Sequence, residues 1–209
     1  MRTRPLLALA VAVVSASPLA AQSISFDEFG AAPCFYSQGS PLTTAYQASQ
    51  GVTFGTRSSG NPAYILDQCS NFGVSARSGL NFLAVNSSFT TINPWITFST
   101  PVSSVSIWAS ANFMRQPFGL NLIGTDVNGN RFADFTFEIV GAGWTRLTYS
   151  RPTDEIYGVY IVPPVADQYF YVFDDLSWTR GQTVVPEPST YALLGTGLVA
   201  LVAVRRRRA

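Results

Sequence analysis

Two pairs of neighbouring acidic residues carry the most reactive chemistry in this sequence. Asp27 and Glu28 lie near the start of the chain, and Asp174 and Asp175 lie near its end. Carboxylates that meet in a fold repel one another and have raised pKa values unless a cation separates them. Calcium fits this role, because it takes six to eight oxygen ligands and the chain contains no histidine. Calcium is therefore the cation that these four residues would bind if the fold brings the two pairs together.

Two other interpretations of the acidic pairs stay open. Asp174 and Asp175 could cap a strand end by accepting hydrogen bonds from backbone N–H groups. Paired carboxylates could also be the acid and the base of a glycoside hydrolase. Because histidine is absent, Ser-His-Asp catalysis, Cys-His catalysis and histidine-ligated zinc are excluded. Carboxylate chemistry is therefore the one enzymatic route that we consider.

The elements that must position these residues are β-strands. Apolar and polar residues alternate in many short segments, and no long segment has a helical period. Val105 and Ile107, for example, should point to one face of a strand and Trp108 to the other. Segments bounded by Gly, Pro, Asn or Ser clusters are predicted as strands at Ile24–Phe29, Val52–Phe54, Ala63–Leu66, Asn81–Val85, Trp95–Phe98, Val102–Ala109, Phe118–Asp126, Arg131–Ile139, Trp144–Ser150, Ile156–Val162 and Tyr169–Trp178. This pattern predicts an all-β, antiparallel β-sandwich over residues 22–182.

Residues 126–130 are predicted to form a hairpin turn, because their Asn-Gly pair supplies the positive φ angles that a tight turn requires. The oxygen-bearing side chains of this segment are also typical of a calcium loop. An EF-hand loop, however, needs glycine and glutamate where this chain has Arg131 and Phe137. The turn should therefore pair residues 118–126 with residues 131–139.

The N-terminus carries a targeting segment. Arg2 and Arg4 precede an apolar stretch from Leu6 to Val14, and small residues follow it. This is the pattern of a secretory signal peptide over residues 1–21, with cleavage after Ala21. Cys34 and Cys69, the only cysteines, would then reach an oxidising compartment, where an even pair predicts a disulfide.

The C-terminal residues 183–209 combine a short polar motif at 185–190, an apolar run at 190–204 and four arginines at 205–208. The arginines resist translocation and should keep the C-terminus in the cytoplasm. A helix over the apolar run would be ~22 Å long, which is short for a hydrocarbon layer of ~30 Å. We therefore expect this hydrophobic helix to insert into the membrane transiently, before processing.

The motif Val-Pro-Glu-Pro-Ser-Thr, the apolar run and the arginine cluster together resemble the PEP-CTERM sorting signal of Gram-negative bacteria. In that family an exosortase, an integral membrane cysteine enzyme, recognises the Pro-Glu-Pro motif and processes the protein. The resemblance implies that Pro186, Glu187 and Pro188 are the sorting motif and that an exosortase is a partner. It also implies transfer from the inner membrane to the cell surface or the extracellular matrix.

The exported part has a second resemblance. Its opening segment Ile24–Phe29, the segments Gly51–Phe54 and Trp144–Leu147, and its closing segment Tyr171–Trp178 resemble the jelly-roll domains often found ahead of PEP-CTERM signals. Those domains are similar in shape to carbohydrate-binding modules. Their first and last strands often lie side by side, which implies that the two acidic pairs meet. The resemblance therefore predicts a structural Ca²⁺ site at Asp27, Glu28, Asp174 and Asp175.

Aromatic residues offer a surface for stacking against sugar rings, and the candidates are Trp95, Trp108, Trp144, Trp178, Tyr36, Tyr157 and Tyr169. Residues 22–185 contain seven scattered arginines, eleven acidic residues and no lysine, which excludes the basic surface of a nucleic-acid-binding protein. We expect a non-catalytic surface protein that binds or builds an extracellular polysaccharide matrix. The alternatives are a carbohydrate-active hydrolase and a passive adhesion protein without a small ligand.

Overall fold

The computed structural model describes residues 21–35, 37, 42–56, 63–85, 94–111, 117–162, 171–181, 195–197 and 205–206. The chain divides into two units, one formed by Leu19–Gly181 and one by the terminal segments Met1–Pro18 and Gln182–Ala209. In the terminal unit, the described residues are helical. No helix in the described part of the chain is long and apolar enough to cross a membrane.

Two of the predictions fall outside these residues. Residues 1–20 of the predicted signal peptide are not described, and neither are Pro186, Glu187 and Pro188. Both therefore stay predictions, as does the helix over residues 190–204, of which only 195–197 are described.

The unit Leu19–Gly181 is an antiparallel β-sandwich, which confirms the predicted fold class. One short helix, α1 (Gln47–Gln50), precedes the second strand. The strands are β1 (Gln22–Ile24), β2 (Val52–Thr56), β3 (Ala63–Asp67), β4 (Asn81–Val85), β5 (Pro94–Val102), β6 (Ser104–Ala111), β7 (Phe118–Thr125), β8 (Thr136–Val140), β9 (Thr145–Ser150), β10 (Ile156–Val162) and β11 (Tyr171–Thr179).

The strands form two sheets. Sheet 1 has the order β3-β4-β11-β6-β9, with β1 also paired to β11, and sheet 2 has the order β2-β5-β10-β7-β8. The core between them contains fully buried side chains such as Ile107, Val159 and Phe173. Each such side chain contributes roughly 1.5–3 kcal/mol to stability through its burial. Val105 and Ile107 face this core, while Trp108 is half-buried, as the alternation predicted.

A second, smaller hydrophobic cluster lies outside the main core. Phe82, Ala84 and Val172 belong to β4 and β11, and they pack against Phe72 and Val74 from the segment between β3 and β4. This segment therefore covers part of sheet 1. Its continuation at residues 77–81 contacts the acidic residues described below.

Two strands are shorter than predicted by more than one residue. The first strand ends at Ile24 instead of Phe29, because Phe26 has a φ of 68° and turns the chain away from the extended path. The strand predicted at residues 131–139 is wrong in its first half, since β8 begins at Thr136. Asp134 lies before the start of β8, and its carboxylate forms an ion pair with the Arg151 guanidinium at 3.0 Å.

The predicted hairpin is confirmed. Strands β7 and β8 pair antiparallel, with Phe118 opposite Val140 and an isolated bridge between Thr125 and Arg131. In the turn, the N–H of Gly129 donates to the carbonyl of Asp126 at 3.1 Å, and Gly129 has a φ of 77°. That conformation favours glycine.

The predicted disulfide between Cys34 and Cys69 is also confirmed, with 5.2 Å between the two Cα atoms. The neighbouring backbone supports the bridge. The N–H of Asp67 donates to the carbonyl of Pro33 at 3.0 Å, and the N–H of Cys69 donates to the carboxylate of Asp67 at 2.7 Å. The bridge therefore holds the segment that follows β1 against the end of β3.

Candidate functional site

The two acidic pairs lie around one short segment, residues 77–81. Strands β1 and β11 lie side by side, with Gln22 opposite Trp178, as the jelly-roll resemblance implied. Asp27 follows β1, while Asp174 lies where the edge of β11 changes its partner from β4 to β1. The register of β11 against β6 shifts at this point, between Asp174 and Ser177.

Asp174 is fully buried and accepts three backbone hydrogen bonds. One carboxylate oxygen accepts from the N–H groups of Arg77 at 2.8 Å and Ser78 at 3.2 Å, and the other accepts from the N–H of Asp175 at 2.8 Å. Burial raises the pKa of Asp174 to about 7, although the three N–H groups act in the opposite direction. The nearby charge of Asp175 adds to the rise.

Asp175 holds the side chains of the same segment. Its carboxylate accepts a hydrogen bond from the hydroxyl of Ser78 at 2.7 Å and forms an ion pair with the guanidinium of Arg77. That guanidinium also lies 3.9 Å from the centroid of the Trp108 ring. Arg77 is therefore fixed by a carboxylate and by a cation–π contact.

Asp27 and Glu28 also accept hydrogen bonds from neighbouring groups of the protein. Asp27 accepts hydrogen bonds from the N–H groups of Leu80 at 3.0 Å and Asn81 at 3.1 Å. Glu28 accepts from the N–H of Ser25 at 2.8 Å and from the hydroxyl of Tyr46 at 2.7 Å. Partial burial acts to raise the pKa of Glu28, but these hydrogen bonds outweigh it and hold the pKa below its ordinary value.

These contacts favour the capping interpretation for Asp174, which accepts from backbone N–H groups, whereas Asp175 accepts from side chains. All four carboxylates accept hydrogen bonds from the protein, and no group of three or more metal-binding side chains is placed to hold an ion within the described residues. The Ca²⁺ site stays a prediction that chelation can test. The hydrolase interpretation is disfavoured. Asp174 has the raised pKa that a general acid needs, but its side chain is fully buried and cannot contact a substrate.

The aromatic candidates separate into different environments. Trp178 is a core residue, 2% exposed, and its indole N–H donates to Gln22 at 2.8 Å. Trp144 packs on the second hydrophobic cluster, and its indole N–H donates to the carbonyl of Ser75 at 3.2 Å. Trp108 lies beneath Arg77 on sheet 1. Tyr36 and Tyr169 lie outside the described residues.

Trp95 and Tyr157 are the two candidates that the fold brings together. They line a cavity of about 250 Å³ at the end of sheet 2, between β5, β10 and the 126–130 turn. Its lining consists of Trp95, Thr97, Phe98, Thr125, Asp126, Val127, Asn128, Gly129 and Tyr157. We call this the sheet 2 cavity.

Two buried polar atoms at the sheet 2 cavity have no hydrogen-bond partner among the described residues: Nε1 of Trp95 and Oγ1 of Thr125. Thr125 is fully buried. Both atoms lie above Gly158, where an added Cβ would be 2.6 Å from the Trp95 nitrogen and 2.9 Å from the Thr125 oxygen. The absence of a Cβ at Gly158 therefore allows both side chains to lie close to its backbone.

An aromatic and cationic stack borders the cavity. Trp95 stacks on Tyr160, with 5.4 Å between ring centroids and 21° between ring planes. The guanidinium carbon of Arg131 lies 4.8 Å from the centroid of Tyr160. Sequence reasoning did not identify Thr125, Tyr160 or Arg131 as site residues, because their only signal is strand pairing: Thr125 is opposite Arg131, and Tyr160 is opposite Trp95.

Comparisons with known proteins address the two parts of the chain separately. Residues 184–208 match the PEP-CTERM protein-sorting motif, which implies an exported protein that is processed at the membrane. No curated protein matches the chain.

Solved structures match the sandwich. The K2 cleaved adhesin domain of Lys-gingipain matches with a TM-score of 0.52 and 13% identity, covering 77% of this chain and 99% of that one. The K1 adhesin domain of Lys-gingipain from Porphyromonas gingivalis matches with a TM-score of 0.52 and 10% identity, covering 78% and 99%. The CBM22-1 xylan-binding domain from Paenibacillus barcinonensis has a TM-score of 0.46 and 14% identity, covering 80% and 99%. The adhesin domains show a shared fold, joined in this chain to a PEP-CTERM sorting motif.

Proposed function

We propose that this chain is an exported, non-catalytic carbohydrate-binding protein and that the sheet 2 cavity binds its ligand. The observation that carries the proposal is the cavity itself, which is lined by two aromatic side chains, Trp95 and Tyr157, and by the polar 126–130 turn. Trp95 is half-buried, so part of its ring is accessible to a ligand. Sites for small ligands are concave, largely aromatic or apolar, and carry a few polar groups that orient the ligand.

A sugar has the chemistry that the sheet 2 cavity requires. The side-chain amide of Asn128 in the lining can both donate and accept hydrogen bonds, which matches the hydroxyl groups of a sugar. The aromatic rings of Trp95 and Tyr157 supply an apolar surface for the C–H face of a pyranose ring. The cavity volume of about 250 Å³ limits the buried part of the ligand to about one ring.

The sorting motif supports the proposal that this binding takes place outside the cell. We propose that an exosortase processes the chain after transient insertion of its C-terminal apolar segment, and that the sandwich then acts at the surface within an extracellular polysaccharide matrix. The PEP-CTERM match at residues 184–208 supports this route.

A tryptophan substitution in each sheet tests the proposed function. The purified chain, Trp95→Ala and Trp108→Ala are compared for binding to an array of neutral and acidic polysaccharides. Both tryptophans are half-buried and lie on strands of opposite sheets, so they form a matched pair. Trp95→Ala should weaken binding at least about tenfold, as expected for an aromatic residue central to a binding site, while Trp108→Ala should leave binding unchanged.

The opposite pattern would reject the sheet 2 cavity. Binding that survives in Trp95→Ala and disappears in Trp108→Ala would assign the site to sheet 1. Absence of binding to every polysaccharide would reject the carbohydrate function and favour a passive adhesion protein. The melting temperature of each variant shows whether the change in binding is independent of unfolding.

A further inference from the structure

We infer that the sheet 2 cavity selects an acidic sugar, and that Arg131 is the residue that recognises its carboxylate. This inference rests on the proposed carbohydrate binding and adds the substrate class. It starts from the position of Arg131 directly after the turn that lines the cavity, opposite Thr125 in an isolated β-bridge.

A ring contact positions the guanidinium of Arg131, and among the described residues it forms no ion pair. It lies 4.8 Å from the centroid of Tyr160, which is 3% exposed and stacks on Trp95. Such cation–π contacts orient an arginine without using its N–H groups. Within the described residues, the ion pairs involve Arg77 and Arg151, and none involves Arg131. Its five N–H donors are thus available to a ligand.

Arginine at the edge of a sugar site favours a carboxylate over a hydroxyl. A guanidinium can donate two parallel hydrogen bonds to a carboxylate, and such charge-assisted bonds are shorter and roughly twice as strong as neutral ones. The two contacts that connect Arg131 to Trp95 through Tyr160 measure 4.8 Å and 5.4 Å between their centres. Arg131 and Trp95 thus share Tyr160 as a neighbour, so a chain of sugars that contacts Trp95 can extend to Arg131.

Other charges near the cavity do not cancel this preference. Asp126 is the one acidic residue in the lining, and its carboxylate accepts hydrogen bonds from the N–H groups of Asn128 and Asn130, both at 2.8 Å, and from the Asn130 side chain at 3.0 Å. Asp126 is thus committed to the turn. The excess of acidic residues elsewhere acts weakly, because salt screens charges beyond about 8 Å at physiological ionic strength.

The test uses polygalacturonate and the same polymer after chemical reduction of its carboxyl groups. We expect the purified chain to bind polygalacturonate at least about tenfold more tightly than the reduced polymer, because a hydrogen bond to a charged group contributes that much. Arg131→Gln should lose this preference and bind both polymers equally. Arg146→Gln is the control, since Arg146 is also exposed but lies on sheet 1, where it donates to Ser106.

Each outcome distinguishes the inference from the proposed function. Equal binding of the two polymers by the unmodified chain, or an undiminished preference in Arg131→Gln, would overturn the role of Arg131 and leave carbohydrate binding intact. Failure to bind either polymer, together with failure on the polysaccharide array, would overturn both. Even if Arg131→Gln does not fold, the comparison of the two polymers on the unmodified chain shows whether the chain prefers an acidic sugar.

Discussion

The carboxylate of Asp174 accepts a hydrogen bond from the backbone N–H of Arg77 at 2.8 Å, although 97 residues separate the two in the sequence. This contact joins the segment before β4 to the irregular part of β11. The Asp174 side chain is inaccessible to solvent at this contact. The stability of the sandwich should therefore depend on the charge of this one residue.

We expect the free energy of unfolding to fall as pH rises from about 4 to about 7 through the titration of Asp174. Its pKa is about 7 in the folded protein and 3.8 in its ordinary state. Between these values the folded protein keeps a proton that the unfolded chain has released, so rising pH favours unfolding. The full effect is at most about 4 kcal/mol, at ~1.4 kcal/mol for each pH unit.

Urea unfolding at several pH values measures this dependence, and Asp174→Asn is the control because its amide does not titrate. The slope between pH 4 and pH 7 should be smaller in Asp174→Asn than in the unmodified chain. Titration of Glu28 has the opposite effect. The pKa of Glu28 is lowered in the folded protein, so the free energy of unfolding decreases only as pH falls below the ordinary value of 4.5. Identical slopes in both proteins would show that Asp174 keeps an ordinary pKa.

Loss of the Cys34–Cys69 disulfide should destabilise the sandwich by about 3–4 kcal/mol, the value expected from the chain entropy of a loop of this size. The sequence separation of the bridge is 35 residues. Unfolding of the oxidised chain is compared with that of the double variant Cys34→Ser, Cys69→Ser. If reduction changes the stability of the double variant as well, the effect does not come from the bridge.

Chelation of calcium distinguishes the two interpretations of the acidic residues: a shared Ca²⁺ site predicts a lower melting temperature, and capping predicts no change. The four carboxylates that could bind an ion already accept hydrogen bonds, for example Asp27 from Leu80 at 3.0 Å and Asp175 from Ser78 at 2.7 Å. Thermal unfolding in excess Ca²⁺ and in excess chelator checks this. A lower melting temperature in chelator, with no such difference in Asp175→Ala, would instead establish the shared ion.

The mature protein should begin near Gln22 and end near Pro188. The reason is the signal-peptide pattern of residues 1–21 and the sorting motif at residues 184–208. Intact mass of protein extracted from the cell surface measures both ends. Glu187→Ala should retain the C-terminal arginines if the acidic residue of the motif is recognised. Arginines 205–208 in the mature, unmodified protein would contradict the prediction.

Local patterns in the sequence were sufficient for the strands and for the disulfide. Strand β10 has the predicted bounds, Ile156–Val162, because alternation and flanking turn residues act over a few positions. The pairing of Cys34 with Cys69 followed from the presence of only two cysteines. Phe26 limited this reasoning, since its positive φ ends the first strand early without a glycine to mark the place.

The candidate site was decided by the tertiary structure. Trp95 and Tyr160 are 65 residues apart and meet because β5 pairs with β10 in one register, with Tyr160 opposite Trp95. The same sheet places Gly158 opposite Thr125, and the missing Cβ lets the Trp95 and Thr125 side chains lie close to the backbone of Gly158. A sequence states which residues can donate, accept or stack. Only the register of distant strands determines which of them share a cavity, because a shift by one residue turns every side chain to the other face.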